Sequence, residues 1–251
     1  MALINKLKAI ADAIRTKTKT TDSLTLDEMP TAIENIKSSA DPSELALIVI
    51  NKQIEECVAE DITAIPDYSF YKYTGLKKLR IPNVTTIGIS AFDSCNQVDQ
   101  IDIPKCTKIG NRSFASCNKA SFINAPLLEE VSAGGFYGMQ TATTANIPLV
   151  KKLASQGFYY SRTIERLDFQ QLTLIEQLAL NQTNLTVLII RTGSVCSLGN
   201  VNALANSPVA KGTGYVYVPR NLVDSYKSAT NWSTYANQIR AIEDYPEITG
   251  G

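Results

Sequence analysis

Cysteine is the residue type in this chain that is best suited to chemistry. Of the five cysteines, Cys95 and Cys117 lie 22 residues apart. A thiolate can act as a nucleophile, bind a metal or form a disulfide. We expect instead buried free thiols that act as small hydrophobic residues, because the count is odd and no CxxC motif is present. A disulfide or metal site stays open as the alternative, since adjacent repeats would bring these two side chains together.

The remaining side chains give no sign of a catalytic centre. The chain has no histidine, which is the commonest general base and metal ligand in proteins. It also lacks the GxSxG, P-loop and GxGxxG motifs and any carboxylates at metal-binding spacing. The sequence therefore predicts a protein that is not an enzyme and that uses no cofactor.

The charge of the chain is balanced. Lys+Arg and Asp+Glu both number 24, so no overall electric field favours nucleic acid or an anionic membrane as a partner. No apolar run reaches the length of about 18 residues that a membrane span needs. The opening residues also lack the continuous apolar core of a secretory signal. If the chain begins at its natural start, we expect synthesis in the cytoplasm and no export by that route.

A pattern of apolar residues repeats every 22 residues and explains where the cysteines sit. Five phenylalanines mark the repeat: Phe70, Phe92, Phe114, Phe136 and Phe158. A second set precedes each of them by five residues and continues one repeat further: Ile65, Ile87, Ile109, Val131, Leu153 and Ile175. A fixed period of this length predicts an α/β leucine-rich-repeat solenoid.

Each repeat predicts one short strand and one turn. The stretch from Leu79 to Ile81 alternates inward and outward side chains, and Pro82 ends the strand by removing a hydrogen-bond donor. We expect these strands to stack in parallel as one sheet. The stretch from Ile87 to Phe92 then turns the chain, by short 3-10 or helical segments, and points the aromatic ring inward. The phenylalanines would form an internal column.

The two ends depart from the repeat, so three parts are predicted: residues 1–39, 40–219 and 220–251. In the first part, Leu3, Leu7, Ile10 and Ile14 form the stripe of an amphipathic helix. This helical segment either attaches or oligomerises the chain, or caps the solenoid as a hairpin. A strand is expected at 45–50, and the last part is a helical cap with helices at 221–229 and 232–242. Trp232 is expected to close the core.

The outward side chains of the stacked strands are the candidate binding surface, because solenoids usually dock partners there. The ten candidates are Lys78, Arg80, Gln100, Asp102, Phe122, Asn124, Thr144, Asn146, Arg166 and Asp168, and Val187 and Ile189 continue the two rows. Phe122 either anchors a partner or a sugar ring, or is one tolerated apolar residue on a solvated face. A second patch, or simple packing of turns, is expected at Tyr71, Tyr137, Tyr159 and Tyr160.

The repeat unit resembles a known family. The segment from Ile87 to Pro104 reads I-G-x-x-A-F-x-x-C-x-x-V-x-x-I-x-I-P and resembles the BspA-type (Treponema-type) bacterial leucine-rich repeat, over residues 54–219. The closing residues 214–246 resemble the ends of such proteins in gut Firmicutes and their prophages. The opening IADAIRTKTKTTDSLTLDEMPTAI resembles an N-terminal module of phage tail or fibre proteins from these bacteria. Small residues at 120, 125, 142 and 145 depart from the repeat, so the coil at 136–157 is expected to be loosely packed or bent.

The resemblance implies adhesion and protein binding, not catalysis. Our leading hypothesis is a prophage tail-associated structural protein whose repeats recognise a protein or a cell-surface glycan. It would reside in the virion, or in the bacterial cytoplasm before assembly, and could self-associate through residues 1–39. The alternative is an adhesin on the bacterial cell surface.

Overall fold

A computed structural model describes residues 55–58 and 62–250, which form a solenoid of stacked coils. The predicted helices of residues 1–39 and the predicted strand at 45–50 lie outside the described residues. Within them the leucine-rich-repeat solenoid is confirmed, because parallel strands one repeat apart pair along the stack. The register of Leu79 with Cys57 and of Ile109 with Ile87 follows the 22-residue period.

One stack of strands forms the front of the solenoid. Its members are β1 (Glu56–Val58), β3 (Lys78–Arg80), β5 (Gln100–Asp102), β7 (Phe122–Asn124), β10 (Arg166–Phe169), β12 (Val187–Ile190), β14 (Tyr215–Val218) and β15 (Ile239–Ala241). Strands β1 and β3 pair, β5 and β7 pair, and β10, β12, β14 and β15 form a four-stranded sheet. Between β7 and β10 only the isolated bridges of Asn146 and Thr144 continue the ladder.

A second stack forms the back, which corrects the prediction of a single sheet. Seven two-residue strands pair in parallel: β2 (Ala64–Ile65), β4 (Thr86–Ile87), β6 (Lys108–Ile109), β8 (Glu130–Val131), β9 (Lys152–Leu153), β11 (Leu174–Ile175) and β13 (Ser197–Leu198). The stretch that begins at Ile87 was interpreted only as a turn. Two residues are too few to show the alternation of inward and outward side chains that identifies a strand in sequence.

The turns add a third ladder of hydrogen bonds between coils. The backbone N–H groups of Ser90, Phe92 and Ser94 donate to carbonyls of the next coil at 2.7–2.8 Å. Each turn from residue 68 to residue 182 contains two residues with positive φ, four positions apart, such as Ser90 (48°) and Ser94 (64°). Only the coil at 134–138 has glycine at both positions. The non-glycine residues are held in a strained conformation that usually costs about 1–2 kcal/mol, so the ladder must stabilise it.

The phenylalanines form the internal column that the sequence predicts. All five rings are at most 1% exposed, and consecutive rings stack with centroids 5.0–5.8 Å apart. The widest gap, 5.8 Å, separates Phe114 from Phe136, and the greatest tilt, 26°, lies between Phe136 and Phe158. These irregularities fall on the coil in which Ala142 and Ala145 replace larger residues, as expected.

A column of small polar side chains runs beside the rings. Cys95 and Cys117 donate their Sγ–H groups to the carbonyls of Phe70 and Phe92, at 3.0 and 3.3 Å. Ser161 occupies the equivalent place two coils later and donates to the carbonyl of Phe136 at 2.8 Å. Its hydroxyl also accepts the backbone N–H of Met139 at 3.0 Å. The cysteines thus follow the repeat because a small buried donor fits there.

The last coils close the core. The segment 201–211 contains a 3-10 helix (Val201–Ala203) and helix α1 (Pro208–Lys211), and α2 (Val223–Ser228) follows a 3-10 helix at Arg220–Leu222. Trp232 is fully buried and donates its Nε1–H to the carbonyl of Cys196 at 2.6 Å, which confirms its predicted role.

The predicted helix at 232–242 is wrong in its second half. A 3-10 helix covers only Trp232–Gln238, and strand β15 follows, then a 3-10 helix at Ile242–Asp244 and α3 (Pro246–Thr249). Ile239 and Ala241 point inward and pair with β14. Pairing with a distant strand therefore overrides the local helical pattern.

We predict that Phe114→Ala lowers the free energy of unfolding by about 3–5 kcal/mol. The rings on either side, 5.2 and 5.8 Å away, belong to the same column and are held by their own coils, so they cannot fill the cavity. Urea unfolding followed by circular dichroism measures the loss. Phe122→Ala is the matched control, because that ring is 42% exposed and its removal should change stability by less than about 0.5 kcal/mol. Equal losses would contradict an internal column.

A pair of serine variants tests the polar column. The Ser113 hydroxyl is buried and has no hydrogen-bond partner among the described residues, whereas that of Ser161 has two. Ser113→Ala should leave stability unchanged or raise it by up to about 1 kcal/mol, since an unpaired buried hydroxyl is removed. Ser161→Ala should lower it by about 1–3 kcal/mol. Thermal and urea unfolding of both variants gives the order, and the reverse order would disprove the assignment.

Candidate functional site

The outward side chains of the front strands lie in two parallel rows, as predicted. One row contains Lys78, Gln100, Phe122, Thr144 and Arg166, and the other contains Arg80, Asp102, Asn124, Asn146 and Asp168. The eight from Lys78 to Asn146 are exposed, apart from the half-buried Asn124. We call these eight residues the front patch.

Three side chains of the front patch form a hydrogen-bonded ladder across three coils. The Asn124 Nδ2 group donates to Oδ1 of Asp102 at 2.7 Å, and the Asn146 Nδ2 group donates to Oδ1 of Asn124 at 2.6 Å. Each amide is therefore oriented by its neighbour in the preceding coil. The ladder presents a carboxylate and two amides in a fixed order beside the exposed ring of Phe122.

The last two predicted candidates lie in a different environment. Arg191 donates to both carboxylate oxygens of Asp168 at 2.9 Å, and this hydrogen bonding raises the pKa of Arg191. Arg166 lies 3.5 Å from Asp168 and donates through Nη1 to the carbonyl of Ile248 at 2.7 Å. The C-terminal segment therefore lies across this part of the front face.

The expectation that Ile189 points to solvent is wrong. Ile189 is fully buried and Val187 is half-buried. Tyr217, which pairs with Ile189 along the sheet, is 3% exposed, and its ring meets that of Tyr245 at 5.4 Å. Sequence periodicity could not show this, because a segment outside the repeat provides the cover.

The cysteines are free and buried, as expected. Burial raises the pKa of the Cys57, Cys95 and Cys196 thiols to about 12 and that of Cys106 to about 11. A thiol with such a pKa carries almost no thiolate at neutral pH and is a poor nucleophile. No group of three potential metal-binding side chains occurs in the described part of the chain.

The predicted tyrosine patch divides into two. Tyr71 lies near the first coils beside Tyr68 and Ile89, three residues that are 41–51% exposed. The periodic analysis missed Tyr68 and Ile89, although both occupy outward positions of the turns. The other three predicted tyrosines pack on one another and against arginines: Tyr137, Tyr159 and Tyr160.

Sequence reasoning also missed a polar cleft of 480 Å³ near the C-terminal coils. Its lining residues are Arg162, Gln182, Thr183, Asn184, Asn206 and Lys211. Lys211 comes from helix α1, in a segment that does not follow the repeat, so spacing alone could not place it here. In the part of the chain that the structure describes, no helix has the length and apolarity to cross a membrane.

Comparison with solved structures finds a leucine rich cell surface protein from Faecalibacterium prausnitzii, known from a crystal structure. The two sequences are 12% identical, and the match covers 76% of this chain and 65% of that chain with a TM-score of 0.29. This chain thus spans slightly less than two thirds of that protein's length. Curated proteins give no match.

Family comparison finds the BspA type leucine rich repeat region in six copies, over residues 19–120, 49–165 and 85–208. The matched stretches together cover well over half of the chain, and they begin upstream of residue 54, where the sequence first shows the repeat. The matched family describes a repeat architecture and not a catalytic domain. With its stacked coils, parallel strands and buried phenylalanine column, the chain belongs to the BspA-type leucine-rich-repeat family.

Proposed function

We propose that this protein is a non-enzymatic binding protein whose front patch recognises a protein or a cell-surface glycan. The observation that supports this is the Asp102–Asn124–Asn146 ladder beside an aromatic ring that is 42% exposed. An exposed ring can stack on a sugar or anchor an apolar side chain of a protein, and it contributes most when polar groups surround it.

The ladder is suited to recognition because it is ordered before a partner arrives. Its side chains are fixed by one another, and its backbone is fixed by pairing between coils. Binding therefore costs little additional side-chain entropy. Neighbouring coils in such a sheet are about 4.8 Å apart, so the patch offers polar groups at regular intervals to an extended ligand.

The charges of the front patch do not select a ligand of one sign. Lys78 and Arg80 lie at one end, and Asp102 lies in the next coil. Such a mixed surface provides orientation and specificity more than long-range attraction. It therefore fits a neutral or mixed-charge ligand, and not nucleic acid.

We place this binding activity in a phage tail, with residues 1–39 as the attachment or self-association segment, 40–219 as the solenoid and 220–251 as the cap. The support is the resemblance of the opening residues 10–33 to phage tail and fibre proteins. The alternative place is the bacterial surface, where the adhesion associated with BspA-type repeats favours an adhesin.

The front patch is tested with the double variant Phe122→Ala/Asn124→Ala. The probes are printed arrays of cell-surface glycans and of purified extracellular-matrix proteins, and each hit is then titrated by biolayer interferometry. We expect the double variant to weaken binding at least about tenfold, because the aromatic anchor and the centre of the ladder are both lost. Lys108→Ala, exposed on the back sheet, is the control and should bind as the wild type does. An unchanged affinity in the double variant would remove the front patch as the binding site.

The setting is tested by solution mass. Light scattering of the full chain should give a trimer, and a chain that begins at Asp41 should give a monomer, because the amphipathic stripe of residues 1–39 would bury its apolar side chains between copies. A monomer in both cases would contradict fibre-type assembly through this segment. Circular dichroism of both chains verifies that the solenoid remains folded after truncation.

A further inference from the structure

The polar cleft near the C-terminal coils has the size of a ligand site. Its volume of 480 Å³ lies within the range of roughly 300–1,000 Å³ that is usual for small-molecule sites. Its lining side chains carry two cations, three carboxamides and one hydroxyl, and none of them is apolar. Such a lining favours a ligand rich in hydroxyl groups and disfavours an apolar one.

The two cations of the cleft have no acidic partner. Among residues 55–58 and 62–250, neither Arg162 nor Lys211 forms an ion pair. Four other arginines each contact a carboxylate: Arg112, Arg166, Arg191 and Arg220. The carboxylate at this corner, Glu165, is exposed and accepts a hydrogen bond from the neutral Asn184 amide at 3.2 Å. The cleft is therefore a place where positive charge is left for a ligand.

Arg162 is held in position by uncharged neighbours. Its guanidinium carbon lies 4.0 Å from the centre of the Tyr160 ring, and Nη2 donates to Gln182 Oε1 at 3.4 Å. Gln182 is fixed in turn, because its Nε2 group donates to the Tyr159 hydroxyl at 3.1 Å. A guanidinium has five N–H donors, so these contacts orient the group and leave most of its donors for a ligand.

The other side of the cleft depends on the segment that departs from the repeat. Ser207 caps helix α1 by accepting the N–H of Ala210 at 3.3 Å, and Gly212, with φ of 84°, ends the helix directly after Lys211. Asn206 donates from Nδ2 to Asn181 Oδ1 at 3.3 Å. Lys211 and Asn206 are thus positioned by local turns and face residues of the two preceding coils.

We propose that this cleft binds a glycan that carries a carboxylate, such as a sugar acid at the end of a chain. Arg162 and Lys211 bind the carboxylate, and the amides of Gln182, Asn184 and Asn206 bind sugar hydroxyls. The planar guanidinium matches the two oxygens of a carboxylate, and the ammonium adds a second charge. The site lies at the corner that precedes β10 and β12 and uses none of the front-patch side chains, so it stands independently of the function proposed above.

The test uses the full chain and three probes: 3′-sialyllactose, lactose and sodium sulfate, each titrated by isothermal calorimetry. We expect 3′-sialyllactose to bind at least about tenfold more tightly than lactose, because only the former carries a carboxylate. Raising the salt to about 0.5 M should weaken that binding, since the charges are solvent-accessible. Sulfate that binds as tightly as 3′-sialyllactose would overturn the sugar part of the assignment, and lactose that binds equally well would overturn the carboxylate part.

Variants then locate the site. Arg162→Ala and Lys211→Ala should each weaken 3′-sialyllactose binding about tenfold or more. Arg162→Lys should give an intermediate loss, because the charge remains but the fork is lost. Lys105→Ala, an exposed lysine in an earlier coil, and Phe122→Ala on the front patch are the controls and should leave the affinity unchanged. No measurable binding by the wild type, or an equal loss in the controls, would refute the proposal.

Discussion

The hydrogen bonds between coils are the interaction on which the rest of this structure depends. Each coil bonds to the next at the front strands, at the back strands and along the turns. All three ladders must advance by the same number of residues, so the 22-residue period is a geometric requirement of the backbone. The requirement reaches into the turns, where residues as bulky as Tyr68 and Leu178 adopt positive φ at 58° and 60°. Strain of this kind persists only where the surrounding structure fixes it, and here the ladder on either side does so.

The phenylalanine column follows from the same register. Rings placed at one position of every coil must stack at the coil spacing, and the observed 5.0–5.8 Å separations show this. The column fills the centre of the solenoid, while Cys95, Cys117 and Ser161 satisfy the carbonyls beside it. Stability is thus carried by inward positions and by backbone. The outward positions are released from that role, and so Asp102, Asn124 and Asn146 can form a ladder of polar groups without disturbing the core.

Sequence periodicity predicted the inward columns and the front rows because each of these repeats in every coil. It could not predict features in which the repeat fails. The back strands of two residues show no alternation, and β15 forms only because Ile239 and Ala241 pair with β14. The cleft and the covered front face bring together segments that are distant in the chain, such as Arg166 and Ile248. Contacts of this kind depend on how the last coils fold back, and no local pattern encodes that.

The covered front face explains why the candidate sites lie where they do. From β12 onward the outward rows become apolar and aromatic, with Val187, Ile189, Tyr215 and Tyr217. Left exposed, such a row would form an apolar patch on a sheet face, which favours aggregation. The C-terminal segment covers it, as the contact of Tyr245 with Tyr217 shows. That cover makes the later front coils unavailable to a partner. Recognition is therefore left to the polar front patch of the earlier coils and to the corner cleft, where the departure from the repeat places Lys211 opposite Arg162.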